Sequence, residues 1–184
     1  MSEDLSRLDV PAPIAVVRDF VNTTDHETGS DDLTTRADLV RHLRGAGLLD
    51  GTARASPDDL ALARRLRAGL RRALEAHHDG EVETLPELSS ALRELPVALD
   101  WNETGPVLRS TASGVRGALA RIGLAAHEAA SEGTWWRLKI CSADECQWAY
   151  YDHSRNQSRA WCGYGCGNKV KTRAYRARQR ARAT

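Results

Sequence analysis

The sequence predicts a mainly α-helical chain that ends in a small cysteine-stapled module with a short β-hairpin and a basic helix. Three observations predict it. Apolar residues recur at helical spacing through much of residues 14–131. The four cysteines all fall in the last quarter, as Cys141, Cys146, Cys162 and Cys166, in the pattern C-x4-C, fifteen residues, C-x3-C. Residues from about 166 to 181 are dense in Ala, Arg, Lys and Gln, which are good helix formers.

The elements follow in order. Ile14, Val16, Val17, Phe20 and Val21 fit a helix better than an alternating strand, and 25–33 (DHETGSDDL) reads as a polar loop. Thr35 followed by Asp38 resembles a cap and an acidic first turn, for a helix over 36–44 that places Leu39, Val40 and Leu43 on one face and stops at Gly45 and Gly47. The clearest helix is 57–78. Ser56 caps it, Pro57 fits its first position, Asp58 and Asp59 favour the positive end of its dipole, and Gly80 ends it. Leu60, Ala63, Leu66, Leu70 and Leu74 mark its buried stripe. Thr84 and Pro86 start a shorter helix, 86–94. Alternating Val97, Leu99 and Trp101 before a turn at 102–105 suggest a small hairpin in 96–109. A further helix over 112–131 turns Val115, Leu119, Ile122 and Ala126 inward.

A boundary near Gly133 divides a helical domain, 1–134, from a C-terminal module, 135–184. Beyond it Trp and Tyr become frequent, and aromatics supply contact area in modules too small for an aliphatic core. Charge divides there too. Residues 135–184 hold eleven Lys or Arg against three Asp or Glu, and 1–134 hold fifteen against twenty-two, so a net +1 conceals a basic end on an acidic body. That asymmetry points to an anionic partner, most often nucleic acid. With 41% apolar and 28% charged residues the composition is that of an ordinary globular protein. No apolar run spans a bilayer and no secretory signal is visible, so the expected location is cytoplasmic, with no membrane partner.

In a reducing compartment two short cysteine pairs at this spacing are a metal site rather than disulfides. One structural Zn2+ per chain is expected on Cys141, Cys146, Cys162 and Cys166, with His153 as the alternative ligand. A strand at 136–140 would lead into the first pair. Residues 147–152 and 158–162 would pair as a hairpin about a turn at 152–157, and Cys166 would lie in the first turn of the last helix. Together these resemble a treble-clef-like zinc finger. Neither H-E-x-x-H nor an H-x-E with P-C-x-x-C occurs, so the zinc reads as structural and the chain as no enzyme. Along the last helix Lys169, Arg173, Arg176 and Arg180 fall near one face and could follow a phosphate backbone. Asn168 suits a base edge or a helix cap, and Trp148, Tyr150 and Trp161 suit packing better than base stacking.

Cys141, Cys146, Trp148, Tyr150, Asp152, Ser154, Ser158, Arg159, Trp161, Cys162, Cys166, Gly167 and Asn168 resemble the CGNR zinc-finger pattern. Lys169 stands where that family's signature has Arg, keeping the charge without the planar fork. Asp19-Phe20-Val21-Asn22-Thr23, then Asp32-Leu33 and Gly47-Leu48-Leu49, look like the ABATE domain of stress-induced transcription regulators. The resemblance implies a bacterial zinc-dependent regulator that binds DNA, and the helical N-terminal domain, 1–134, is then read as the part that senses a signal or forms a homodimer. Candidate nucleic-acid contacts are Asn168, Lys169, Lys171, Arg173 and Arg176. RNA binding and a protein-interaction module without nucleic acid are the alternatives. An enzyme site at Asn22, Thr23, Asp25 and His26 is weighed against local backbone bonding by the same residues, which is favoured. His77 and His78 read as a solvated pair at a helix end. The identity of any effector is not written in the sequence.

Overall fold

The computed structural model describes residues 10–78 and 84–182. Among the described residues six α-helices, α1 (Ala12–Val21), α2 (Arg36–Gly45), α3 (Pro57–Glu75), α4 (Pro86–Arg93), α5 (Gly114–Ser131) and α6 (Tyr164–Arg182), carry the architecture. Three antiparallel two-stranded pairs join them: β1 (Thr24–Asp25) with β2 (Ser30–Asp31), β3 (Val97–Asn102) with β4 (Gly105–Ser110), and β5 (Leu138–Ile140) with β6 (Ala149–Tyr151). The chain is mainly α with a small C-terminal finger, as its residue pattern predicts. No described helix is long and apolar enough to cross a membrane.

Local chemistry sets the starts of α2 and α3. Thr35 with Asp38, and Ser56 with Asp59, form complete capping boxes, each satisfying two backbone N–H groups that would otherwise lack partners. The expected stop at Gly80 lies outside the described residues, and the helix predicted over 57–78 gives way to a single 3-10 turn at Ala76–His78. Ile14, Val17, Phe20 and Val21 of α1 meet Val115, Leu119 and Ile122 of α5 and Leu62, Leu66, Leu70 and Leu74 of α3 in one core. Gly69 lets α3 approach α4, since a Cβ there would lie 2.7 Å from Leu88 Cβ.

The 25–33 segment is not wholly loop. Asp25 accepts from the N–H groups of Glu27 (2.8 Å) and Thr28 (3.2 Å), Gly29 adopts φ +70°, and the chain folds back as β1–β2. Arg67 of α3 then grips Asp31 with both nitrogens, at 2.7 and 2.8 Å, and donates to Thr23 Oγ1 at 2.9 Å. The guanidinium holds the Asp31 carboxyl below the usual carboxylate range. This buried arginine lies within the helix's apolar stripe, where periodicity alone gives no warning of it.

The core does not end near Gly133. Leu138, Ile140 and Ala149 belong to the same buried cluster as the N-terminal helices. Alternation along β5 explains this: Leu138 and Ile140 face the helices, while Lys139 faces the finger loop.

Candidate metal centre

β5 leads into the first cysteine pair. Cys141 closes the strand by donating its N–H to Trp148 O at 2.9 Å, and a tight turn follows, with Cys146 N–H donating to Ala143 O at 2.8 Å. The chain returns as β6, so the partner of β6 is β5. The predicted pairing of 147–152 with 158–162 is replaced by Leu138↔Tyr151, Lys139↔Tyr150 and Ile140↔Ala149. The knuckle is itself the hairpin turn, and it folds β6 straight back onto β5. Residues 158–162 are irregular instead, and α6 starts at Tyr164, with Cys166 in its first turn as expected.

The four sulfurs lie within 4.8 Å of one another. Cys146 Sγ is 3.6 Å from Cys162 Sγ, which is 3.7 Å from Cys166 Sγ. A disulfide needs about 2.0 Å. A tetrahedron of thiolates about 2.3 Å from zinc has edges of roughly 3.8 Å. These cysteines are therefore unbridged, and their donor set and spacing fit one structural zinc ion. Four thiols so close cannot all ionise against one another. Cys141 is held down to about 5, first by the Cys162 thiol, while burial pushes Cys146 up to about 11 and the Cys141 sulfur pushes Cys162 up as well. A divalent cation supplies the counter-charge that four thiolates need. His153 is not part of the cluster, since its ring packs edge-on against Tyr151.

The loop between the pairs is ordered by charge taken inside. Asp152 is fully buried and accepts from Ser154 N–H (2.8 Å), Arg159 N–H (3.0 Å) and Lys139 Nζ (3.3 Å). Lys139, also buried, donates to Gln157 O at 2.5 Å. Arg159 donates to Trp161 O (2.7 Å) and Cys162 O (2.5 Å), fixing the approach to the second pair. Trp161 packs on the first turn of α6, where a Cβ at Gly167 would come within 3.2 Å of its ring. The glycine after Cys166 thus serves a close approach of indole to backbone.

The segment 15–133 matches the family model ABATE, described as "Putative stress-induced transcription regulator". This chain belongs to the ABATE family. Residues 137–179 match the CGNR zinc finger, the segment built around the four cysteines. No curated protein matches the chain.

The ABATE segment grips the outer edges of the CGNR hairpin. A two-stranded sheet leaves one row of backbone groups unpaired on each strand. Asn22 covers the β6 edge: its Oδ1 accepts from Ala149 N–H (2.8 Å) and its Nδ2 donates to Ala149 O (2.9 Å). An amide is suited to this because it carries a donor and an acceptor side by side, as a peptide unit does. His77 Nδ1 lies 2.6 Å from Leu138 O, and His78 Nε2 contacts Ile140 O, covering the β5 edge. Arg71 donates to Gln147 O (2.7 Å) and Val21 O (3.0 Å). The histidines are therefore not a solvated pair. His77 is buried beside Trp135 and Trp136, and burial lowers its pKa, so it stays neutral and donates from Nδ1.

Of the residues considered as an enzyme site, Thr23 and Asp25 are engaged locally, Thr23 Oγ1 donating to Phe20 O (2.7 Å) and Asp25 capping its own turn, whereas Asn22 reaches the finger instead. Replacing Asn22 with Ala orphans two buried backbone groups. Asn22→Ala is expected to lower unfolding free energy by about 2–4 kcal/mol and to speed amide exchange at Ala149. Urea denaturation with exchange readout checks this, and a change under 1 kcal/mol would rule the edge clamp out as a major stabiliser.

The basic helix departs from its sequence reading in one respect. Lys169 pairs with Glu27 (2.9 Å) and Arg173 pairs with Glu145 (2.7 Å), so half of the expected phosphate stripe meets acids of the same chain. Lys171 Nζ lies 5.6 Å from the Trp161 ring centroid. Asn168 and Arg176 are exposed and have no side-chain partner among the described residues. Asn168 lies four residues into α6 and does not cap it.

Proposed function

We propose that this chain is a zinc-dependent transcription regulator that binds duplex DNA through α6. The observation that carries the reading is the charge on that helix. Between Tyr164 and Arg182 there are seven Lys or Arg and no acidic residue, and positions 171–181 are exposed. Lys169–Arg173, Arg173–Arg176 and Arg176–Arg180 place like charges three or four residues apart, which destabilises a helix in water. A polyanion relieves that repulsion. The zinc site supports the reading mechanically, because Cys162 and Cys166 fix the base of α6 to the knuckle while the rest of the helix projects. The zinc does no chemistry here.

The contacts assigned are Asn168, Lys169, Lys171, Arg173 and Arg176. Lys169 and Arg173 reach phosphates by leaving Glu27 and Glu145, an exchange that costs little because exposed ion pairs are weak. Asn168 is the one uncharged side chain among them, with an amide suited to a base edge. Anisotropy titrations of the zinc-loaded protein on mixed-sequence duplex are expected to give log K falling linearly with log salt. Four cationic contacts predict a slope of roughly −3 to −4. Arg176→Ala should reduce its magnitude by about 1 on any sequence. Absence of binding at low salt, or affinity indifferent to salt, would end this reading. Displacement of duplex by single-stranded RNA would move it to RNA.

A further inference from the structure

The β3–β4 hairpin presents a pattern that the single chain does not use. Val97, Leu99 and Trp101 alternate along β3, as in a strand with one buried face. Register places Val97 opposite Ser110, Leu99 opposite Leu108 and Trp101 opposite Pro106, all on that face. Yet Leu99 is 72% exposed and Trp101 76%, with Val97 at 42% and Leu108 at 36%. On the opposite face Ala98 and Val107 are half-buried, while Asp100 and Arg109 stay largely exposed. Among the described residues the sheet has no third strand, and an isolated two-stranded hairpin is marginal in water.

We infer that this face is a homodimer interface, in which the hairpins of two copies pack face to face about a two-fold axis. Three features select a second copy. The face carries no charged side chain, so it offers no electrostatic code for a different partner. It is graded in size, with bulky Trp101 near the turn and small Val97 and Ser110 at the base. A two-fold axis that runs the hairpins antiparallel sets each Trp101 over the partner's small end, the self-complementarity an isologous contact requires. The area also suffices. The four exposed apolar side chains offer on the order of 400 Å² per copy, so two copies and a polar rim bury roughly 1,000 Å², the low end for a specific interface. The neighbouring charges do not oppose the contact, because Asp100 and Arg109 lie on the other face and pair at 2.5 Å.

The test is the solution mass of the full zinc-loaded chain by light scattering over a wide concentration range. Wild type is expected at twice the 20.2 kDa chain mass, dissociating on dilution. Leu99→Glu with Trp101→Glu is expected at the chain mass, with wild-type circular dichroism and one zinc per chain. If that variant does not fold, Trp101→Ser should weaken the dimer at least tenfold. A wild type that stays monomeric at every concentration overturns the inference, as does a folded variant that still dimerises. The outcome is independent of whether α6 binds DNA.

Discussion

Removing the zinc is expected to unfold the finger and to weaken the helical body with it. Cys162→Ser, or a strong chelator, should take the metal content from one per chain to zero and release α6 from its anchor, because folding of such a site is coupled to the ion. The effect should not stop at the finger. Leu138 and Ile140 are almost fully buried in the core shared with α1, α3 and α5. Each such aliphatic side chain contributes about 1.5–3 kcal/mol by leaving water, so residues 15–133 should lose roughly 3–6 kcal/mol once β5 is no longer held. Metal analysis, helical circular dichroism and amide exchange in α1 and α3 check this together. Full protection of α1 and α3 in a zinc-free, finger-unfolded protein would show that the two segments are energetically independent.

Asp152→Ala is expected to be the most damaging single substitution outside the ligands. Asp152 is wholly buried, and the Lys139 side chain beside it is 5% exposed. Truncating the acid strands an ammonium in the interior and orphans the N–H groups of Ser154 and Arg159. Breaking a buried pair in this way costs about 3–5 kcal/mol. Removing both charges, as Lys139→Met with Asp152→Ala, should recover part of the loss, because the stranded ammonium is gone. Urea unfolding under saturating zinc measures both variants. Asp152→Ala within 1 kcal/mol of wild type, or a double variant less stable than the single, would refute the account.

These two effects show which parts of the molecule can be read from a string of residues. The capping boxes at Thr35 and Ser56 are local, with partners three residues apart, and so they are visible in sequence. So are the 102–105 hairpin turn and the cysteine spacing. The pairing of β6 was misread because two segments competed for it and the decision lay in the knuckle turn. Arg67, His77 and His78 were missed for another reason. A polar side chain on a helix gives the same signal whether it meets water or a buried carbonyl 61 residues away, as His77 does. Asn22 was legible as a motif residue, but its task depends on Ala149, 127 positions further on.

By itself the sequence determined the capped starts of α2 and α3, the mainly α class, the four-sulfur donor set and the charge of the last helix. All of these follow from side-chain chemistry acting over a few residues or from composition. Only the tertiary structure decided three further things. It seats β5 and β6 in the helical core with their edges covered by Asn22, His77 and His78. It sets Lys169 and Arg173 against Glu27 and Glu145. It leaves the Leu99 and Trp101 face of the hairpin in solvent. The physical reason is common to all three: unpaired backbone groups, opposite charges and apolar faces find their partners by distance in space, and that distance exists only once the chain is folded.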